Sequence, residues 1–198
     1  MNIPFNAPHL VSSSVLESDK AYGVAAFRRC LERLRKVTDV SLVRSGHLYV
    51  FCFPDAFEPN SNRTVNSIVL RHLLDCLIAL NMGYLDIPVR NRPVITTLPL
   101  YSSGVRYDRD PEWMTIESAC RKKLADCKTL TAYMIAQLRK QNRFASPVFR
   151  WVENSQDGQD FHILVEVERS REFPTGYTDP SKVLGMGSHE NAPRRAAH

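Results

Sequence analysis

In the stretch LADCKTLTAYMIAQLRKQ, residues 124–141, a cysteine follows an aspartate at the start of an apolar run. Asp126 is a preferred helix N-cap residue, which places Cys127 at the first helical position. Unpaired backbone N–H groups and the positive end of the helix dipole favour negative charge there. The spacing therefore predicts a thiol of lowered pKa, available as a thiolate nucleophile. At about 100° per residue, Leu130, Met134 and Leu138 fall within roughly 60° of Cys127 around the axis. The sulfur thus sits at the open end of the stripe that packs on the body of the domain. A cysteine on such a stripe is more often a core residue than a nucleophile. Catalysis also requires a base and a group to orient it.

DFHILVEV, 160–167, supplies a candidate base. Alternation places Phe161, Ile163, Val165 and Val167 on one uniformly apolar face, and His162 with Leu164 and Glu166 on the other. The mixed face fits a cleft mouth, and it fits equally a sheet edge with a solvated histidine. Further on, TDP at 178–180 sets Asp179 before a proline, which biases its backbone to extended geometry. There its carboxylate could hold one imidazole nitrogen and fix the tautomer, the third role in a triad. Glu166 is read as neutralising local charge. Trp113 and Trp151 are read as core or rim aromatics, and His47 and His72 as satisfied by their neighbours.

These residues need a frame. Periodicity predicts helices over 20–37, with Phe27, Leu31 and Leu34 inward, and over 65–82, with Thr64 as N-cap and Gly83 as C-cap. It predicts two more over 111–123, with Pro111 in the first turn, and over 127–141. HLYVFCF (47–53), SPVFRWVE (146–153), DFHILVEV and a piece ending at TGYTDP (175–180) read as strands. Asp157–Gly158 marks a hairpin turn between the second and third of these. The pattern divides the chain into three: an N-terminal arm and helical/β extension over 1–94, a domain over 95–185, and a polar tail over 186–198.

The order of the motifs resembles the transglutaminase-like branch of the papain-like fold, whose members typically show G-D-C, then H-A-W-V-E-V, then D-P-T. The matching pieces are Ala125–Asp126–Cys127, HILVEV from His162 to Val167, and Asp179–Pro180–Ser181. SGVRYDRDPEW, 103–113, is similar to the lead-in of compact bacteriophage and bacterial members. The resemblance covers roughly 95–185. Ala125 stands where glycine is usual, RKK precedes the motif, Leu164 replaces the aromatic, and no side chain matches the oxyanion donor. One donor of that hole is expected from the backbone N–H of Cys127. The resemblance implies an α+β fold, a papain/transglutaminase-like core with the cysteine helix packed on an antiparallel sheet. It further implies a Cys127–His162–Asp179 triad acting on the amide of a peptide or polypeptide, as a cysteine protease, amidase or acyltransferase. An alternative reading is a non-enzymatic assembly protein, such as a virion protein, in which the scaffold is retained and residues 1–94 engage partners.

The totals bound these readings. The chain has 198 residues and a net charge of +5, and its basic residues are scattered in short groups, so nucleic acid is not an expected partner. Five cysteines without a CxxC pair do not form a disulfide framework; reduced thiols in a cytoplasm-like setting are expected. Cys120 and Cys127 are spaced too widely for a usual zinc pair. No Asp-rich calcium loop or Gly-rich phosphate loop is present, so neither cofactor nor metal is expected. No signal peptide is read at the N-terminus, and no segment approaching the ~20 apolar residues of a membrane span.

Overall fold

A computed structural model describes residues 9–12, 24–36, 41–45, 48–52, 63–92, 99–109, 112–153 and 159–187. The expectations for the rest of the N-terminal arm, Phe27, Leu34, His47, Pro111, the Asp157–Gly158 turn, the Trp151 side chain and the tail beyond 187 lie outside what is described. The fold mixes helix and sheet, as an α+β chain should.

Strands β1 (His9–Ser12), β2 (Ser41–Ser45) and β3 (Leu48–Cys52) form an antiparallel sheet in the order β1-β3-β2. Part of the supposed arm is therefore an edge strand. Helix α1 (Val24–Arg35) lies between β1 and β2 in the chain, and it packs along α2 (Arg63–Asp86). The second helix is longer than its cap residues predict. Thr64 falls inside its first turn, and Gly83, buried, inside its last. Its end is fixed instead by Arg92, whose guanidinium donates to the carbonyls of Leu85 and Ile87 at 2.8 Å each. An arginine just beyond the helix satisfies carbonyls that a C-cap glycine would otherwise leave to its own turn.

Within α2, Ser67–Asp86 is long and apolar enough to cross a membrane, against the expectation that no segment is. In the fold, 61% of that window is buried. One side meets α1 and another meets α4 (Cys127–Lys140). Val69, Leu70, Leu74, Leu77, Ile78 and Leu80 are at most 2% exposed, each contributing about 1.5–3 kcal/mol by burial.

Helix α3 (Ile116–Lys122) begins later than its apolar pattern predicts. Thr115 is its N-cap, accepting from the Ser118 N–H at 3.4 Å. The N–H of Ile116 finds Asn81 Oδ1 on α2 at 2.9 Å, so a buried asparagine serves the helix start. Met114 N–H is held by Thr129 Oγ1 on α4 at 3.2 Å. With both flanking donors taken from outside, Trp113 and Met114 stay in non-helical backbone.

The central helix is α4, in which Leu130, Ala132, Tyr133, Ile135 and Ala136 are fully buried. A helix covered on so many sides belongs in the middle of a core. It packs on α2 and on an antiparallel sheet in the order β6-β7-β8, built from β6 (Ala145–Glu153), β7 (Gln159–Val167) and β8 (Tyr177–Thr178). In β6–β7 the register sets Phe149 opposite Ile163 and Arg150 opposite His162. Arg71 of α2 ties the layers together, donating to Ser146 Oγ and to the Pro147 carbonyl, both at 3.1 Å. The core is one cluster running from Leu31 through α2 and α4 to Val167. The main helical support for the cysteine helix thus comes from residues before 94.

Candidate active site

The local physics around Cys127 begins with its neighbour. Asp126 is the N-cap of α4: its Oδ1 accepts from the Thr129 N–H at 3.1 Å. Its Oδ2 is ion-paired with Lys128 Nζ, and both side chains are buried. Lys128 also lies over the Trp113 ring, 5.8 Å from the centroid. The charge brought in by the N-cap is thereby balanced within two residues, and the Cys127 side chain is left free to face the sheet.

Three backbone N–H groups meet the sulfur, those of Ile163, Lys128 and Cys127 itself, and each favours the thiolate. The contact with Ile163 sets Cys127 beside β7, one residue from His162. Thr131 Oγ1 reinforces the seating by donating to the Ile163 carbonyl at 3.2 Å.

β8 pairs with β7 through Val165–Thr178 and Glu166–Tyr177, which brings the next residue, Asp179, back toward His162. The return requires Gly176, at φ +75°, where an added Cβ would stand 3.1 Å from Arg169 Cγ. Asp179 has extended backbone, as expected before proline, and it caps a short helix α5 (Pro180–Val183). Its Oδ1 accepts from the Lys182 N–H at 3.1 Å, and its Oδ2 is 2.9 Å from His162 Nε2. Burial opposes ionisation of this carboxyl, but the hydrogen bonds from His162 and Lys182 outweigh it and hold the pKa below the usual range. With Nε2 committed to a carboxylate, Nδ1 is the nitrogen left to exchange a proton.

One expectation fails. The Cys127 thiol is not lowered: burial, the largest influence, carries it up to about 11, and the Asp179 charge adds to the rise. Desolvation here exceeds what the N–H groups of β7 and of the helix start return. The residue retains some contact with solvent. At neutral pH the resting group is a thiol.

Two tyrosines escaped the motif reading as site residues. Tyr107, in the short parallel pair β4 (Arg106–Tyr107) and β5 (Leu124–Ala125), stands opposite Ala125, two residues before the cysteine. Its N–H donates to the Leu184 carbonyl at 2.9 Å, linking this segment to the end of α5. Burial and the neighbouring Cys127 charge both raise its pKa, so the phenol stays protonated. Tyr101 reaches from Met134 on α4 (Oη to Sδ, 3.4 Å) to Thr178 on β8 (Oη to Oγ1, 3.5 Å), forming an exposed rim. Tyr107 belongs to the VRY stretch, so a weak signal existed; Tyr101 had none. Trp113 is buried beneath the ion pair. Leu164, on the mixed face of β7, is buried as well, so that strand is covered more fully than a cleft-edge strand would be. Cys120 sits in the core with its sulfur 3.6 Å from the Tyr133 hydroxyl.

The arrangement is a helix-start thiol beside β7, an imidazole on that strand and a carboxylate that fixes the imidazole. Comparison of the chain with protein-family models, curated proteins and solved structures found no match.

Proposed function

We propose that the chain is a cysteine-dependent amide hydrolase or acyltransferase of the transglutaminase-like, papain-like type, acting on a peptide or polypeptide. The observation that carries this is the 2.9 Å contact between His162 Nε2 and Asp179 Oδ2, beside a strand that also receives the Cys127 sulfur. In the attack step His162 Nδ1 takes the thiol proton as the S–C bond forms, because a thiol near 11 is not ionised beforehand. Asp179 stabilises the imidazolium and holds its tautomer. The proton then passes to the leaving amine as the C–N bond breaks, and water or an acceptor amine resolves the thioester. Backbone N–H groups at the helix start and the neutral Tyr107 phenol are donors for the tetrahedral oxyanion.

A specific observation supports the second reading, a structural protein with an inert triad: the same desolvated, neutral thiol. Acylation separates the two. Exposed to a panel of N-acetyl-amino-acid p-nitrophenyl esters, the active reading expects p-nitrophenolate release with an acyl adduct on the Cys127 peptide by mass spectrometry. Cys127→Ala should abolish the adduct and His162→Ala should slow it by about 10²–10⁴, the usual worth of general-base assistance. Equal release by parent and Cys127→Ala, with no adduct, would sink the catalytic reading.

A further inference from the structure

Arg150 is a charge beside the base that the acyl chemistry leaves unused. In the β6–β7 ladder it stands directly opposite His162, and directly opposed residues of an antiparallel pair share a sheet face with Cβ atoms roughly 4.5–5.5 Å apart. His162 is largely covered, its side chain 20% exposed, whereas Arg150 is exposed. No carboxylate among the described residues pairs with Arg150. The strand does not need it either. Arg139 donates to the Ala145 carbonyl at 3.0 Å and Arg71 to the Pro147 carbonyl at 3.1 Å, so other arginines secure the start of β6. The adjoining row of the shared face is apolar, with Val148 half-buried opposite Leu164, which is 7% exposed. Glu166 is on that face too, but four residues from His162 it lies roughly 13 Å along β7. An unpaired guanidinium on a long apolar stem is thus held one strand away from the general base.

We propose that Arg150 recognises a carboxylate on the leaving-amine side of the substrate, so that the preferred substrate is an amide whose departing segment is acidic. This rests on the acyl chemistry proposed for Cys127 and His162. His162 returns its proton to the leaving amine, so the departing segment must lie against the imidazole. The next side chain across the ladder from that imidazole is Arg150. Its planar fork meets a carboxylate with two parallel N–H donors. Two sources supply such a group close to the scissile nitrogen: the α-carboxylate of a C-terminal residue, and the side chain of an internal aspartate or glutamate.

The test uses the full chain and thioesters of one N-acetyl amino acid, the one that acylates Cys127 fastest as its p-nitrophenyl ester. The leaving thiols are mercaptoacetate, 3-mercaptopropionate, the neutral 2-mercaptoacetamide and the cationic thiocholine. Mercaptoacetate places its carboxylate as a C-terminal glycine does, and 3-mercaptopropionate as the side chain of an internal aspartate does. Loss of thioester absorbance gives kcat/KM for each. A carboxylate leaving group should be favoured over the carboxamide by about 5–20-fold, more than an open surface pair is worth and less than a buried one. Preference for mercaptoacetate would assign the C-terminal source, and preference for 3-mercaptopropionate the side-chain source. Arg150→Gln should abolish the preference, and Arg150→Glu should turn it toward thiocholine. Each comparison is a ratio within one variant, so a change in folded fraction cancels. Equal turnover of carboxylate and carboxamide by the parent, or a preference that survives Arg150→Gln, would overturn the proposal and leave the catalytic reading standing. Absence of an acyl adduct on Cys127 with every thioester would overturn the catalytic reading, and this inference with it.

Discussion

Cys127 should be a slow thiol, and its slowness can be worked out. Thiolate is the reacting form, so the rate with iodoacetamide follows the ionised fraction. With the thiol near 11, that fraction at pH 7.5 is about 3 × 10⁻⁴, against about 0.1 for a free cysteine of pKa ~8.5. Intrinsic nucleophilicity rises with basicity at a Brønsted slope of ~0.4–0.5, which returns roughly tenfold. The net expectation is alkylation about 30-fold slower than a free cysteine, and slower still where burial limits access. Peptide-resolved labelling from pH 6 to 11.5 reads this directly, with Cys30, lowered to about 7, as the fast internal reference.

The perturbation that probes the cause is Asp179→Asn. The Asp179 charge raises the Cys127 pKa, so its removal should move the inflection toward lower pH and speed labelling at pH 7.5. An unchanged or upward inflection would refute the assigned electrostatics. Rapid labelling of the parent below pH 7 that disappears in His162→Ala would refute the desolvation argument itself. It would establish a preformed thiolate–imidazolium pair, and the catalytic proposal would survive with a different resting state.

Two further outcomes concern the scaffold. Lys128→Met strands the buried Asp126 carboxylate and should cost about 3–5 kcal/mol in urea unfolding. Asp126→Asn combined with Lys128→Met should recover most of that, since Asn caps a helix as well as Asp; a single-variant loss below about 1 kcal/mol would contradict the assigned ion pair. For Asp179 the sign runs with a depressed folded-state pKa. Its stabilising contribution is fully present above the unfolded aspartate value near 3.9 and is lost as pH falls through the lower folded-state value. Asp179→Asn should therefore flatten the fall in thermal midpoint below about pH 4, relative to the parent; an unaltered slope would remove Asp179 as its source.

What the sequence disclosed and what it withheld divide along local and distant physics. Asp126, Cys127 and the stripe through Leu130 and Leu138 obey caps and periodicity, which act within a turn or two, and the cysteine helix forms where they put it. The strand bearing His162 and the extended Asp179 were legible for the same reason. The end of α2 and the start of α3 were not, because side chains beyond the helix satisfy their terminal groups: Arg92, past the end, closes α2, and Asn81 and Thr129, from other helices, decide where α3 starts. The pKa of Cys127 failed in the same way. A helix start acts locally and favours the thiolate, whereas desolvation depends on everything packed around the sulfur and cannot be read from one segment. The same reasoning explains why Lys128 was overlooked. Next to Cys127 it reads as one more basic residue, yet folding buries it against Asp126 and Trp113, where its charge keeps the N-cap carboxylate from standing alone beside the Cys127 thiol.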